Sequence, residues 1–155
     1  MLDSQEVYRN AARIVLISPA QRVLLFEARN NQGDHFWVMP GGGLESSETF
    51  VEAAQRELWE ETGQILEMGP WIWIRCHTYK WDGIHCNQRE HFFVARSSDE
   101  TVNGANADSY ILSHRWWSME EIACSTALFA PRRLPTLLPP ILAGEYPEDA
   151  IDVGV

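Results

Sequence analysis

RELWEETG, Arg56 to Gly63, sets Glu57, Glu60 and Glu61 within five residues of one another. On a helix, positions i, i+3 and i+4 share a face, so these three carboxylates converge. Each like-charge pair costs only a few tenths of a kcal/mol on an exposed helix, and Arg56, four residues before Glu60, softens the repulsion. Taken alone, the stretch fits both a solvated acidic face and a cation site. Its surroundings favour a helix over Thr49 to Thr62. Thr49 and Glu52 have capping-box spacing, Ala53, Ala54 and Leu58 are good helix formers, and Gly63 sits where a C-cap glycine belongs. Just upstream, Pro40-Gly41-Gly42-Gly43 lets backbone approach a ligand closely, and Glu48 adds another carboxylate. A hard cation such as Mg²⁺ takes oxygen ligands and completes its shell with water and substrate phosphates.

The chain of 155 residues suggests one domain, with 145–155 an irregular tail. At 45% hydrophobic it can build a sizeable core. A net charge of -10 argues against extended nucleic-acid contact, which needs a basic path. It allows a phosphate-bearing small molecule when a metal ion supplies positive charge. Three cysteines with no CxxC pair point to a reduced, cytoplasmic protein. MLDSQEVYRN has no apolar signal segment, and no run reaches the ~20 apolar residues of a membrane span. A homodimer is left open.

RIVLIS (Arg13 to Ser18) and RVLLFEAR (Arg22 to Arg29) read as adjacent strands joined by a tight turn. A polar loop, NNQGD, ends at Asp34. WIWIRCHTYKW (Trp71 to Trp81) and IHCNQREHFFVAR (Ile84 to Arg96) flank Asp82-Gly83, a hairpin signal. A loop over Thr101 to Asp108 precedes a late strand, Ile111 to Trp117, and Ser118 with Glu121 caps a short helix. Four prolines between Pro131 and Gly144 predict a broken helix.

Cys76-His77 and His85-Cys86 form a symmetric C-H-x7-H-C pattern that invites a zinc reading. The hairpin opposes it. A two-residue turn pairs Cys76 with Arg89 and Cys86 with Tyr79, leaving the cysteines about 10 Å apart along the ladder.

GGLESSETFVEAAQRELWEETGQ, Gly42 to Gln64 after Gly41, resembles the signature of the Nudix hydrolases, G-x5-E-x7-R-E-U-x-E-E-x-G-U, with U a bulky apolar residue. Gly42, Glu48, Arg56, Glu57, Leu58, Glu60, Glu61 and Gly63 match; Gln64 departs, where Ile65 next door can take the packing role. The resemblance implies an α/β fold, an α/β/α sandwich with a central mixed sheet and the signature helix. It implies Mg²⁺- or Mn²⁺-dependent hydrolysis of a nucleoside diphosphate linked to another group, by water attack at phosphorus. Glu57 and Glu61 become the first metal ligands, Glu60 a further ligand or the residue that orients water, and Arg56 the partner that holds Glu48 and the ligands in place. A carbonyl at Gly41 or Gly42 can join them. Family members often draw one more acid from beyond the signature. Glu90 is the candidate, because strand alternation puts it on the face of Phe92 and Val94, where a carboxylate needs a partner such as a metal. Low-specificity substrate contacts are Arg29 at a strand end, Trp37 as a stacking ring, and Tyr79, near the tyrosine of some dinucleoside-polyphosphate enzymes. The proline of the ADP-ribose branch is missing from His77 to Trp81. The alternative is a non-catalytic nucleotide-binding sensor of the same fold, which would be expected to lose signature acids.

Overall fold

The structure, a computed structural model, describes residues 5–30, 32–103 and 111–155. Its strands are β1 (Glu6–Ile17), β2 (Val23–Arg29), β3 (His35–Val38), β4 (Gly41–Gly43), β5 (Trp71–Trp81), β6 (Ile84–Arg96), β7 (Ile111–Trp117), β8 (Phe129–Ala130) and β9 (Ile151–Asp152). The helices are α1 (Phe50–Thr62), α2 (Met119–Cys124) and α3 (Leu134–Leu142). One mixed sheet runs β8-β3-β2-β1-β6-β5-β9, with β4 paired to β1 and β7 to β2.

Alternation along the central strands divides the core into two layers. Ala12, Ile14 and Leu16 of β1 pack with Phe93 and Ala95 of β6 and with Ala53, Ala54 and Leu58 of α1. Val15 and Ile17 pack with Phe92 and Val94 on the other face, under Ile122 of α2 and Leu134, Leu138 and Ile141 of α3. The result is a sheet with helices on both sides, the α/β/α sandwich. Truncating a fully buried leucine such as Leu58 to alanine costs roughly 2–5 kcal/mol in a layer of this kind.

α1 has the expected bounds because its local signals agree. The Thr49 hydroxyl accepts from the Glu52 N–H, the Glu52 carboxylate accepts from the Thr49 N–H, and Gly63 closes the helix at φ 77°. Phe50 docks the first turn by stacking on His91, with ring centroids 3.6 Å apart. The β5–β6 hairpin has the expected register, from Trp81↔Ile84 to Cys76↔Arg89, and Asp82 and Gly83 both have positive φ, as this turn demands. Cys76 and Cys86 are free thiols on separate rungs.

β1 and β2 are adjacent antiparallel strands, as expected, joined by a tight turn in which the Ser18 N–H donates to the Arg22 carbonyl. β1 also lies parallel to β6 over twelve rungs, and β2 pairs with β7 and β3. Two expectations are corrected. The proline-rich segment makes one continuous helix, α3, with Pro139 and Pro140 inside it. The missing donors are tolerated because the helix is short, Pro135 lies in its first turn, and Leu134, Leu138 and Ile141 are held in the core. The tail is not irregular throughout: Ile151 and Asp152 pair with β5, and Val153 is fully buried. A two-residue strand is too short to announce itself by alternation. Of the loop expected over Thr101 to Asp108, 104–108 lie outside the described residues.

Candidate active site

Two glycine positions explain how β4 meets its neighbours. β4 pairs antiparallel with β1 through Ala12↔Gly42. A Cβ on Gly42 would point toward α1 and lie 2.6 Å from a Glu57 carboxylate oxygen. Gly41 has φ 145°, and a Cβ there would lie 2.0 Å from the Ala12 carbonyl oxygen. Only glycine lets this backbone run between β1 and the acidic helix.

Arg56 is the hub of the acidic side. Its guanidinium donates two hydrogen bonds to Glu48, at 2.8 and 2.9 Å, one to Glu57 at 2.9 Å, one to Glu60 at 3.2 Å, and one to the Gly43 carbonyl at 3.0 Å. A planar fork can serve several carboxylates at once, where an ammonium cannot. The Glu48 pairing above all, opposed by burial, holds the guanidinium proton far more tightly than usual. Glu61 is different. It is buried, and its Oε1 accepts from the Gly41 N–H at 2.9 Å. Burial raises its pKa to about 9, the charge of Glu57 adds to the rise, and Arg13 opposes it. Glu61 also borders a cleft of about 210 Å³ lined by Phe26, Val102, Ile111 and His114. A larger hollow, about 440 Å³, lies over Arg9, His77 and Gln88 and includes none of these carboxylates.

The donor set fits a hard divalent cation. Among the described residues, no three His, Cys, Asp or Glu side chains are arranged to hold a metal by themselves. Mg²⁺ needs only one or two carboxylates, since phosphates and water complete its shell. A carboxylate that burial and a like charge drive toward protonation, as Glu61 is, gains from a cation what it would otherwise take from a proton.

Glu90 is 1% exposed on the face of Phe92 and Val94, so the alternation reading places it correctly. Its partners in the fold are two arginines and Gln88. Arg13 Nε donates to Oε2 at 2.8 Å, Arg75 Nη1 to Oε1 at 2.8 Å, and Gln88 Nε2 to Oε2 at 3.0 Å. Burial opposes the charge, but Arg13 and Arg75 outweigh it and hold the pKa at about 2. The Gly41 carbonyl, a candidate metal ligand, accepts from Arg13 at 3.2 Å. Arg29 is exposed at the end of β2. Trp37 packs edge-on against Trp117 with centroids 5.1 Å apart, and the Tyr79 hydroxyl donates to Gln88 at 3.0 Å. Trp37 and Tyr79 stand on β3 and β5, four steps apart in the sheet, about 19 Å at the usual strand spacing. The structure therefore gathers Arg56, Glu57, Glu60, Glu61 and the β4 glycines, while Arg29 and Trp37 stand on the paired strands β2 and β3 and Tyr79 stands apart on β5. Arg75 faces Glu90 in the expected hairpin register, whereas Arg13 escapes a reading of sequence spacing. The available signal is a charge set among Ala11, Val15 and Ile17 on one buried face.

The comparisons with known proteins support a hydrolase acting on phosphorus-containing anhydrides. A family model for the NUDIX domain matches residues 7–138, and the chain belongs to the Nudix family, whose members generally use divalent metal ions and act on small nucleotide derivatives. It is 32% identical to phosphatase NudJ of Escherichia coli K12 over 125 residues, 81% of this chain and 79% of that protein. Its fold is similar to that of the E. coli ORF135 protein, with TM-score 0.62, 21% identity, and 96% and 99% of the two chains covered. A MutT Nudix hydrolase from Burkholderia pseudomallei gives TM-score 0.63 at 21% identity, covering 83% and 95%. No helix among the described residues is long and apolar enough to cross a membrane.

Proposed function

We propose that this Nudix hydrolase cleaves the diphosphate of a nucleoside diphosphate linked to another group, with Mg²⁺ or Mn²⁺ as its cofactor. The observation that carries the reading is the convergence of Glu57 and Glu61 on the glycine backbone of β4. When bound, such a cation neutralises diphosphate charge and makes water a better nucleophile. Glu57 and Glu61 would hold it, helped by backbone oxygen at Gly42. Glu60, the most exposed of the three at 30%, would add a ligand or orient the attacking water. Arg56 keeps four acids from dispersing: Glu48, Glu57 and Glu60 by hydrogen bonds, and Glu45 by an ion pair at 3.7 Å. Holding ligands in place is how outer-shell groups contribute to such sites.

A panel of nucleoside di- and triphosphates, sugar nucleotides and dinucleoside polyphosphates, assayed with Mg²⁺ and with Mn²⁺ for released phosphate or pyrophosphate, tests this reading. Turnover of at least one nucleotide, dependent on the added cation and abolished by chelator, is expected. Turnover unaffected by chelator would contradict the metal assignment, and hydrolysis confined to non-nucleotide diphosphates would contradict the substrate class.

A further inference from the structure

We infer that Arg13 is a positioning residue for this site, acting through the sheet on the backbone that holds Glu61, and that Glu90 is its counter-ion. The inference rests on the reading of Glu61 as a site carboxylate. Arg13 lies on the face of β1 that carries Val15 and Ile17, opposite α1. From there its Nη1 donates to the carbonyls of Met39 and Gly41, each at 3.2 Å. The Gly41 N–H, at the other end of the same residue, donates to Glu61 at 2.9 Å on the α1 side. Gly41 is thus gripped from both faces. β1 adds a third restraint, since the Ile14 N–H donates to the Pro40 carbonyl at 2.9 Å.

The guanidinium needs a fixed orientation to reach two carbonyls, and Glu90 supplies it through Arg13 Nε at 2.8 Å. Glu90 is itself fixed by Arg75 and Gln88. Both arginine side chains are 12% exposed and Glu90 1%, so little water competes for these bonds. A lysine at position 13 would keep the charge and lose the fork that spans a carboxylate and two carbonyls.

The chain contains a single Pro-Gly bond, Pro40–Gly41, so protein labelled with carbonyl-¹³C proline and ¹⁵N glycine gives one selected amide signal, that of Gly41. In metal-free protein, Arg13→Lys and Glu90→Gln should each shift that signal. In turnover, Arg13→Lys should lower kcat by about 10–100-fold, the usual range for a group behind the ligands, with KM nearly unchanged. Glu90→Gln should lower it less, and the double variant should fall no further than Arg13→Lys alone. If Arg13→Lys does not fold, Glu90→Gln, nearly isosteric, still reports through the Gly41 amide. An unmoved Gly41 signal with wild-type kcat in these variants overturns the positioning role. Losses that multiply in the double variant overturn the counter-ion role and give Glu90 a separate function. Glu61→Gln is the reference. If it kept wild-type turnover, the site reading would fail; if it is inactive while Arg13→Lys is normal, only the present inference fails.

Discussion

The two faces of the sheet beside β4 solve opposite problems. On the α1 face, four glutamates crowd around one arginine, Arg56. On the other, Arg13 and Arg75 share one glutamate, Glu90. The acidic face is partly open, with Glu60 30% exposed, while the basic cluster is almost closed to water. β4 stands between them: a side chain on Gly42 would strike Glu57, and one on Gly43 would strike Arg9. The contrast teaches a division of labour. Carboxylates left in excess and partly accessible are suited to gather a cation, whereas a sealed ion cluster is suited to hold backbone in place.

That division can be broken at several points. The largest effect, on a par with that of Glu61→Gln, is expected from Glu57→Gln, which should lose on the order of 10³-fold in turnover while the far-ultraviolet spectrum stays native. A modest change in turnover would mean that the acidic face is only a surface. On the sealed side an effect on stability should accompany the loss of turnover. Glu90 titrates near 2 in the fold against an ordinary value near 4.5, so the fold favours its charged form. Its contribution is complete above the ordinary value and is lost as pH falls from about 4.5 toward 2, by at most about 3 kcal/mol. Thermal melts across that range should fall less steeply for Glu90→Gln than for the parent; parallel curves would contradict a buried, arginine-held carboxylate. Arg56→Gln should lower turnover by about 10–100-fold and raise the cation concentration needed for half-maximal rate, because the acids lose their hub. Thr49→Ala, which uncaps α1 without touching either cluster, should cost about 1 kcal/mol in denaturant melts and leave kcat intact. A large loss of turnover there would show that the start of α1, rather than its acidic face, sets the geometry.

The acidic face was legible in the sequence because a helix brings together residues that are neighbours in the chain. Arg56 to Gly63 with Thr49 and Glu52 states the helix, its caps and its charged side in fifteen residues. The β5–β6 hairpin was legible for the same reason, since Asp82-Gly83 fixes the register of everything on either side. The basic cluster was not. Arg75 and Glu90 face each other across the β5–β6 hairpin, but Arg13 joins them only because β1 lies parallel to β6 across 77 residues of sequence. No local spacing encodes a parallel pairing. Glu90 could be placed by its face and opposite Arg75 by the hairpin register, but not matched to Arg13. The short β9 rung and the continuous α3 escaped for a related reason: both are decided by burial of Val153, Leu134, Leu138 and Ile141, and tertiary packing overrides the proline and short-segment signals.

The most direct test of the central claim is the turnover of Glu61→Gln on the best nucleotide substrate, read together with its melting temperature. The substitution keeps the shape and removes a buried carboxyl whose charged form burial disfavours. If Glu57 and Glu61 form the cation site, turnover falls by roughly 10³-fold while the melting temperature holds or rises, the mark of a group kept for function at a cost in stability. Wild-type turnover with Mg²⁺ in a folded Glu61→Gln protein would contradict the account.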